Sequence, residues 1–246
     1  NLVYAKNTNM WVAVGDADAT LGNNTVAYSY DGINWTGLGK LFGYGRGIAT
    51  NGTRIIVSGG GTYNGYRLAY SDDGINWVGA ALNSTVVNIF PNDIYTIAAA
   101  GTVWIIPGNS DNTIIVSIDN GITWISQGNT LFASIYKILH NGIKWVVFGG
   151  GSLDYMMAHS TDGINWDTYS NAISGLTNVG NLIDLAWNGQ IWLGIFAGAN
   201  DNVAYSIDGI LWTSYQVYFN YNYNFASGAI IQWCLNKWVI TTKTGR

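Results

Sequence analysis

The sequence predicts an all-β fold assembled from repeated four-stranded antiparallel sheets. Three observations carry this prediction. First, a hairpin motif, Tyr28-Ser29-Tyr30-Asp31-Gly32-Ile33-Asn34-Trp35, recurs four more times along the chain. Second, the composition suits strands. Aromatic residues make up 14% of 246 residues, with 12 Trp and 16 Tyr, and such residues fit a pleated, half-buried surface. Third, no apolar period of 3.6 residues persists, so no amphipathic helix is predicted.

The later copies are Tyr70-Ser71-Asp72-Asp73-Gly74-Ile75-Asn76-Trp77, Ser117-Ile118-Asp119-Asn120-Gly121-Ile122-Thr123-Trp124, His159-Ser160-Thr161-Asp162-Gly163-Ile164-Asn165-Trp166 and Tyr205-Ser206-Ile207-Asp208-Gly209-Ile210-Leu211-Trp212. Each unit reads in the same order. A first strand, such as Tyr136-Lys137-Ile138-Leu139 or Ile183-Asp184-Leu185-Ala186, meets an Asn-Gly turn at Asn51-Gly52, Asn141-Gly142 or Asn188-Gly189. These dipeptides accept positive φ at both central positions of a type I′ turn, so a tight hairpin is expected. An apolar second strand follows, as in Met10-Trp11-Val12-Ala13-Val14 or Lys144-Trp145-Val146-Val147-Phe148. A loop rich in Gly, Asn and Asp leads to a third strand ending in Ser. The Asp-Gly turn and a fourth strand opened by Trp complete the unit.

Four short strands in a repeat of about 40–50 residues are the signature of a β-propeller. One propeller is expected over residues 1–246, with repeats at about 1–44, 45–90, 91–134, 135–180 and 181–225. Residues 226–246 supply only a first and second strand, so six blades are favoured with the last one partial. Five blades with a spare hairpin is the alternative.

The repeated hairpin resembles the Asp-box, or bacterial neuraminidase repeat, of sialidases, sortilin-type receptors and photosystem assembly factors. Residues 117–124 match the Asp-box spacing, and the other copies are one residue shorter between Asp and Gly. The resemblance implies a propeller whose repeated residues are structural: Asp31 and Trp35, Asp73 and Trp77, Asp119 and Trp124, Asp162 and Trp166, Asp208 and Trp212. An Asp side chain at a turn accepts nearby backbone N–H groups, and Ser does likewise. The Trp is expected to cover the turn and pack between neighbouring blades.

Composition excludes several functions. Arginine and lysine total 10 residues, do not cluster, and leave a net charge of −4, which lacks the basic stripe that nucleic acid requires. No apolar run approaches the ~20 residues of a membrane helix. A single cysteine, Cys234, excludes an internal disulfide framework and a Cys-based zinc site, and it reads as a buried small apolar strand residue. The sialidases hold the substrate carboxylate with arginines from several blades and use a Tyr–Glu pair. This chain has no Glu, and apart from Arg246 its arginines, Arg46, Arg54 and Arg67, fall in one repeat. No catalytic residue is assigned. Asp16, Asp93, Asp111, Asp154 and Asp201 are the loop carboxylates from which a glycosidase pair would have to come, and no spacing selects two of them. His140 and His159 read as turn and packing residues. No metal or cofactor is expected, calcium on a loop such as Asp16-Ala17-Asp18 being the weak alternative.

Strands of a blade alternate in direction. The Asn-Gly and Asp-Gly turns therefore share one face, and the longer second-to-third loops and interblade links share the other. Variable loops on a rigid scaffold commonly carry function. Candidate ligand-binding residues there are Tyr63, Tyr66, Arg67, Tyr155, Tyr218, Tyr221, Asn222 and Tyr223. The link Tyr218-Phe219-Asn220-Tyr221-Asn222-Tyr223-Asn224-Phe225 alternates rings with amides. Rings stack on the C–H faces of sugars while amides and carboxylates bond to hydroxyls. The expected function is non-catalytic recognition of a glycan or glycoprotein. The alternatives are a structural virion or cell-surface component making protein–protein contacts, in which another chain completes the last blade, and a glycoside hydrolase. An extracellular, cell-surface or virion location is expected, with no nucleic-acid partner and no membrane insertion.

Overall fold

The computed structural model describes residues 1–18, 20, 22–61, 66–80, 94, 96–107, 114–127, 134–150, 156–170, 173–174, 179–198, 202–216 and 229–241. Contacts divide the chain into two compact units, Asn1–Asn129 and Thr130–Arg246.

The first unit holds three four-stranded antiparallel sheets. They are β1 (Leu2–Ala5), β2 (Met10–Val14), β3 (Val26–Ser29) and β4 (Thr36–Gly37); β5 (Tyr44–Thr50), β6 (Ile55–Gly60), β7 (Leu68–Ser71) and β8 (Val78–Gly79); and β9 (Ala98–Ala100), β10 (Val103–Pro107), β11 (Ile114–Ser117) and β12 (Ile125–Ser126). Each sheet runs in chain order, and the first strands β1, β5 and β9 neighbour one another. The second strands are the most apolar, and every residue of β6 is buried. Two apolar clusters form the core. One joins Met10, Val12, Phe42, Ile55 and Val57, and the other joins Ile56, Leu68, Trp104, Ile115 and Trp124.

The second unit holds a four-stranded sheet of β13 (Ser134–His140), β14 (Trp145–Gly150), β15 (Met156–Ser160) and β16 (Asp167–Ser170). The next sheet has five strands, β17 (Ile173–Ser174), β18 (Val179–Trp187), β19 (Trp192–Gly198), β20 (Asn202–Ser206) and β21 (Trp212–Gln216). β17 adds to β21 in parallel, which the repeat pattern does not predict. The outermost strand is five residues here and two in β4, β8 and β12. A longer edge exposes more unpaired backbone, and β17 covers part of it. The last sheet has two described strands, β22 (Ile230–Cys234) and β23 (Lys237–Thr241), as the partial sixth repeat predicts. Cys234 is exposed, not the buried residue expected from its strand.

The Asn-Gly turns differ from the expected type I′ hairpins. His140 pairs with Trp145 and Trp187 with Trp192, so four residues separate the strands. Only the glycine has positive φ, and the Asn side chain holds the turn. Asn141 Oδ1 accepts the N–H of Ile143 and Lys144 at 3.0 and 2.9 Å, and Asn188 Oδ1 accepts those of Gln190 and Ile191 at 2.9 and 2.7 Å. The two-residue turn with positive φ at both positions occurs instead at Leu235-Asn236, between the paired Cys234 and Lys237.

Candidate functional site

The five repeated turns share one hydrogen-bond plan. In the first, Asp31 Oδ1 accepts the backbone N–H of Ile33 at 2.8 Å and of Asn34 at 2.7 Å, its Oδ2 accepts the Asn34 amide at 2.7 Å, and Ser29 Oγ accepts the N–H of Gly32 at 2.9 Å. Asp73, Asp162 and Asp208 accept from residues two and three ahead in the same way. The longer copy accommodates its extra residue by placing Asn120 at φ 63°, and Asp119 accepts from residues three and four ahead, Ile122 and Thr123. These bonds hold all five carboxylates below the ordinary 3.8, and Asp31, Asp73 and Asp162 well below it. For Asp31 the Asn34 N–H is the main cause, and for Asp73 it is the Asn76 amide. At Asp119, Asp162 and Asp208 burial pushes upward, and the hydrogen bonds from the turn outweigh it. All five are ionised at neutral pH and none is poised as a general acid.

The closing tryptophans divide. Trp124 and Trp212 are buried, at 3% and 2% exposure, and Trp124 Nε1 donates to Gly121 O at 3.1 Å. Trp77 and Trp166 are half-buried, and Trp35 is 42% exposed. Trp35 keeps its bond to Gly32 O at 3.3 Å, so it covers its turn, but it is not a buried interblade residue.

In the first unit the two kinds of turn do lie together. Asn51 Nδ2 donates to Gly101 O at 2.6 Å and to Asn120 Oδ1 at 2.7 Å. Arg54 makes a bidentate pair with Asp72 at 2.7 and 2.9 Å, donates to Asn120 O at 2.9 Å, and places its guanidinium 4.4 Å from the Tyr70 ring centre. These polar groups tie one sheet to the next.

The opposite strand ends in this unit carry side chains that change between repeats. Asp16, after β2, forms an isolated bridge with Tyr44 at the start of β5. Its carboxylate meets Arg46 Nη1 at 2.7 Å, and the Arg46 guanidinium lies 4.3 Å from the Tyr44 ring centre. Gly45 N donates to Gly15 O at 2.9 Å, and a Cβ at Gly45 would stand 2.9 Å from that oxygen, so only glycine lets the two segments approach this closely. Asp18 accepts from Thr20 N at 2.7 Å, a local turn contact. Tyr66 is exposed and lies against Gly79, and Arg67, half-buried, immediately precedes β7. Phe42, at the neighbouring link, is wholly buried. Of the sequence-predicted ligand-binding residues, Tyr63, Tyr155, Tyr218, Tyr221, Asn222 and Tyr223 lie outside the described residues, as do the loop carboxylates Asp93, Asp111, Asp154 and Asp201. Among the described residues no group of three His, Cys, Asp or Glu is placed to hold a metal.

Sequence reading missed one charged group. Asp184 on β18 is buried, pairs with Lys137 Nζ of β13 at 2.7 Å, and accepts Ile231 N of β22 at 2.9 Å. It thus joins the first strands of three successive sheets. Both side chains follow bulges, between Ile135 and Lys137 and between Leu182 and Asp184, and a bulge re-aims the side chains beside it. The signal was present in the sequence: each lies three residues before the residue preceding an Asn-Gly pair.

No family model matches the sequence, and no curated protein matches it. Solved structures do. The chain is similar to the GH74 enzyme of Niastella koreensis at 18% identity and TM-score 0.60, covering 87% of this chain and 29% of that one. It is similar to the GH74 xyloglucanase of Xanthomonas campestris at 12% identity and TM-score 0.56, covering 87% and 38%. A chain in the nidogen/laminin complex matches at 8% identity and TM-score 0.60, covering 95% and 84%. This chain therefore spans less than a third of the GH74 enzyme from Niastella koreensis. At such identities the likeness establishes fold alone, and that fold is the β-propeller.

Proposed function

We propose that the chain is a non-catalytic binding propeller with Asp-box-like repeats, recognising a glycan or glycoprotein through the strand ends opposite the repeated turns. One observation carries this reading. The side chains common to all repeats are engaged in holding turns, whereas Asp16, Tyr44, Arg46 and Tyr66, which differ from repeat to repeat, stand at the other end. A ring beside a guanidinium and a carboxylate offers a sugar both a stacking face and hydroxyl partners. The sequence supplies the same residue types at Tyr63, Tyr155 and the ring-and-amide link 218–225. An extracellular, cell-surface or virion setting suits such a module.

The test is a glycan array on the folded, monodisperse chain, with and without calcium. Retention of a related set of sugars, lost in Tyr66→Ala or Tyr221→Ala/Tyr223→Ala proteins that melt like the parent, is the expected result. A blank array from folded protein would overturn the reading. It would favour a structural role in protein–protein contacts, for which the two-stranded last sheet with exposed Ile230 and Val239 speaks. Pull-down of a chain that protects residues 226–246 is the matching measurement. Glycoside hydrolysis abolished by one loop Asp→Asn change would support the third reading.

A further inference from the structure

Four Asn-Gly pairs fall within the described residues, and their surroundings differ. At Asn51 the amide nitrogen is held by Gly101 O and Asn120 Oδ1, and the Gly52 N–H donates to Thr50 Oγ1 at 3.1 Å. At Asn120 the side-chain oxygen takes donors from Asn51 and Trp104, and the Gly121 N–H donates to Ser117 Oγ at 2.9 Å. At Asn188 the oxygen accepts two backbone N–H groups, and the preceding residue is Trp187, which has no acceptor. Asn141 alone among these combines three features. The Gly142 N–H donates to the imidazole Nδ1 of His140 at 3.0 Å. Asn141 Oδ1 accepts the N–H groups of Ile143 and Lys144 at 3.0 and 2.9 Å. Its amide nitrogen donates to no described residue.

We propose that His140-Asn141-Gly142 is a self-modification site, at which the imidazole promotes attack of the Gly142 nitrogen on the Asn141 side-chain amide. The atoms balance as follows. The Gly142 N–H proton passes to His140 Nδ1 as the nitrogen bonds to Asn141 Cγ. The Oδ1 oxygen takes up the negative charge, with two N–H groups already directed at it, the arrangement that stabilises an oxyanion. The tetrahedral centre collapses and expels the Asn141 nitrogen as ammonia, protonated by the imidazolium. A cyclic succinimide remains. Water opens it at either carbonyl, leaving aspartate or isoaspartate at position 141 and one added negative charge.

The ring is held for this role. His140 packs against Trp145, its cross-strand partner, with centroids 4.7 Å apart. Burial lowers its pKa, so the imidazole is neutral and Nδ1 is free to accept at neutral pH. Nothing beyond the adjacent residues lies within 4 Å of the position a Cβ would take at Gly142, so no distant segment crowds this turn.

The experiment incubates the full chain at neutral pH in heavy-oxygen water and follows each Asn-Gly peptide by mass spectrometry. Asn141 is expected to gain label at least about tenfold faster than Asn188 and Asn51, with a succinimide intermediate, a ratio short of the ~10²–10⁴ that a positioned base gives in an evolved active site. His140→Gln, which keeps an acceptor and removes the base, is expected to bring Asn141 down to the rate of Asn188. If that variant does not fold, the comparison of Asn141 with Asn188 in the parent chain still decides. Equal rates at the two sites, or an unchanged rate in a folded His140→Gln protein, would overturn the proposal.

Discussion

Gly121 offers the sharpest test of how the repeated turns are held against the sheets. Its φ is +81°, and a Cβ there would overlap Cδ1 of Ile56, which is 1% exposed on the second strand of the preceding sheet. Gly121→Ala therefore carries two costs. Left-handed backbone costs a non-glycine residue roughly 1–2 kcal/mol, and overpacking a core costs typically ~1–3 kcal/mol more. Gly52→Ala isolates the first cost, since its φ is +92° and nothing lies within 4 Å of its Cβ position. Ile56→Val removes the overlapping methyl at a cost of about 0.5–1.5 kcal/mol. Urea unfolding of the parent, Gly52→Ala, Gly121→Ala, Ile56→Val and the double variant closes the cycle. Gly121→Ala should destabilise by about 2–5 kcal/mol, clearly more than Gly52→Ala. The double variant should be more stable than the sum of its singles by about 1 kcal/mol or more. Equal effects at Gly52 and Gly121, or no coupling to Ile56, would refute the packing argument.

Three further outcomes are expected. Stability should fall in acid, because the five turn carboxylates have folded pKa values below their unfolded 3.8. Their contribution is present above that value and lost as pH drops through the folded ones, so thermal melts should show a steep decline below about pH 4 that Asp73→Asn makes shallower. Trp124→Ala should cost about 3–5 kcal/mol, the range for a buried aromatic, while Trp35→Ala, with 42% of its surface exposed, should cost a fraction of that in the same denaturant assay. Lys137→Ala should destabilise by about 3 kcal/mol or more, because it leaves the buried Asp184 carboxylate without its counter-charge. Asp184→Ala, which takes the acceptor from the buried N–H of Ile231 but leaves only the more exposed Lys137 unpaired, should cost about 1–3 kcal/mol in the same denaturant assay. Losses in the reverse order would show that the backbone bond, and not the ion pair, dominates.

The strand inventory and the turn chemistry were legible in the residues alone, because both are local. Ser29, Asp31 and Gly32 and their counterparts lie within a few residues of the groups they bind, so their spacing names their partners. The extra residue at Asn120 could likewise be read as an insertion between Asp119 and Gly121. What the sequence left open was decided by contacts distant along the chain. Whether a closing Trp is buried depends on what stands over it, so Trp212 and Trp35 differ although the spacing of their motifs agrees. The Asn-Gly pairs suggested type I′ turns, and the register instead lets the Asn side chain take the place of backbone. Lys137 and Asp184 are 47 residues apart and meet only because successive first strands lie side by side and bulge at the same point. The face proposed for binding was legible as a set of strand ends, since alternation of strand direction dictates which loops share a side. That Asp16, Tyr44 and Arg46 close upon one another there was decided by the tertiary structure, because Gly15 and Gly45 bring two sheets within hydrogen-bond reach.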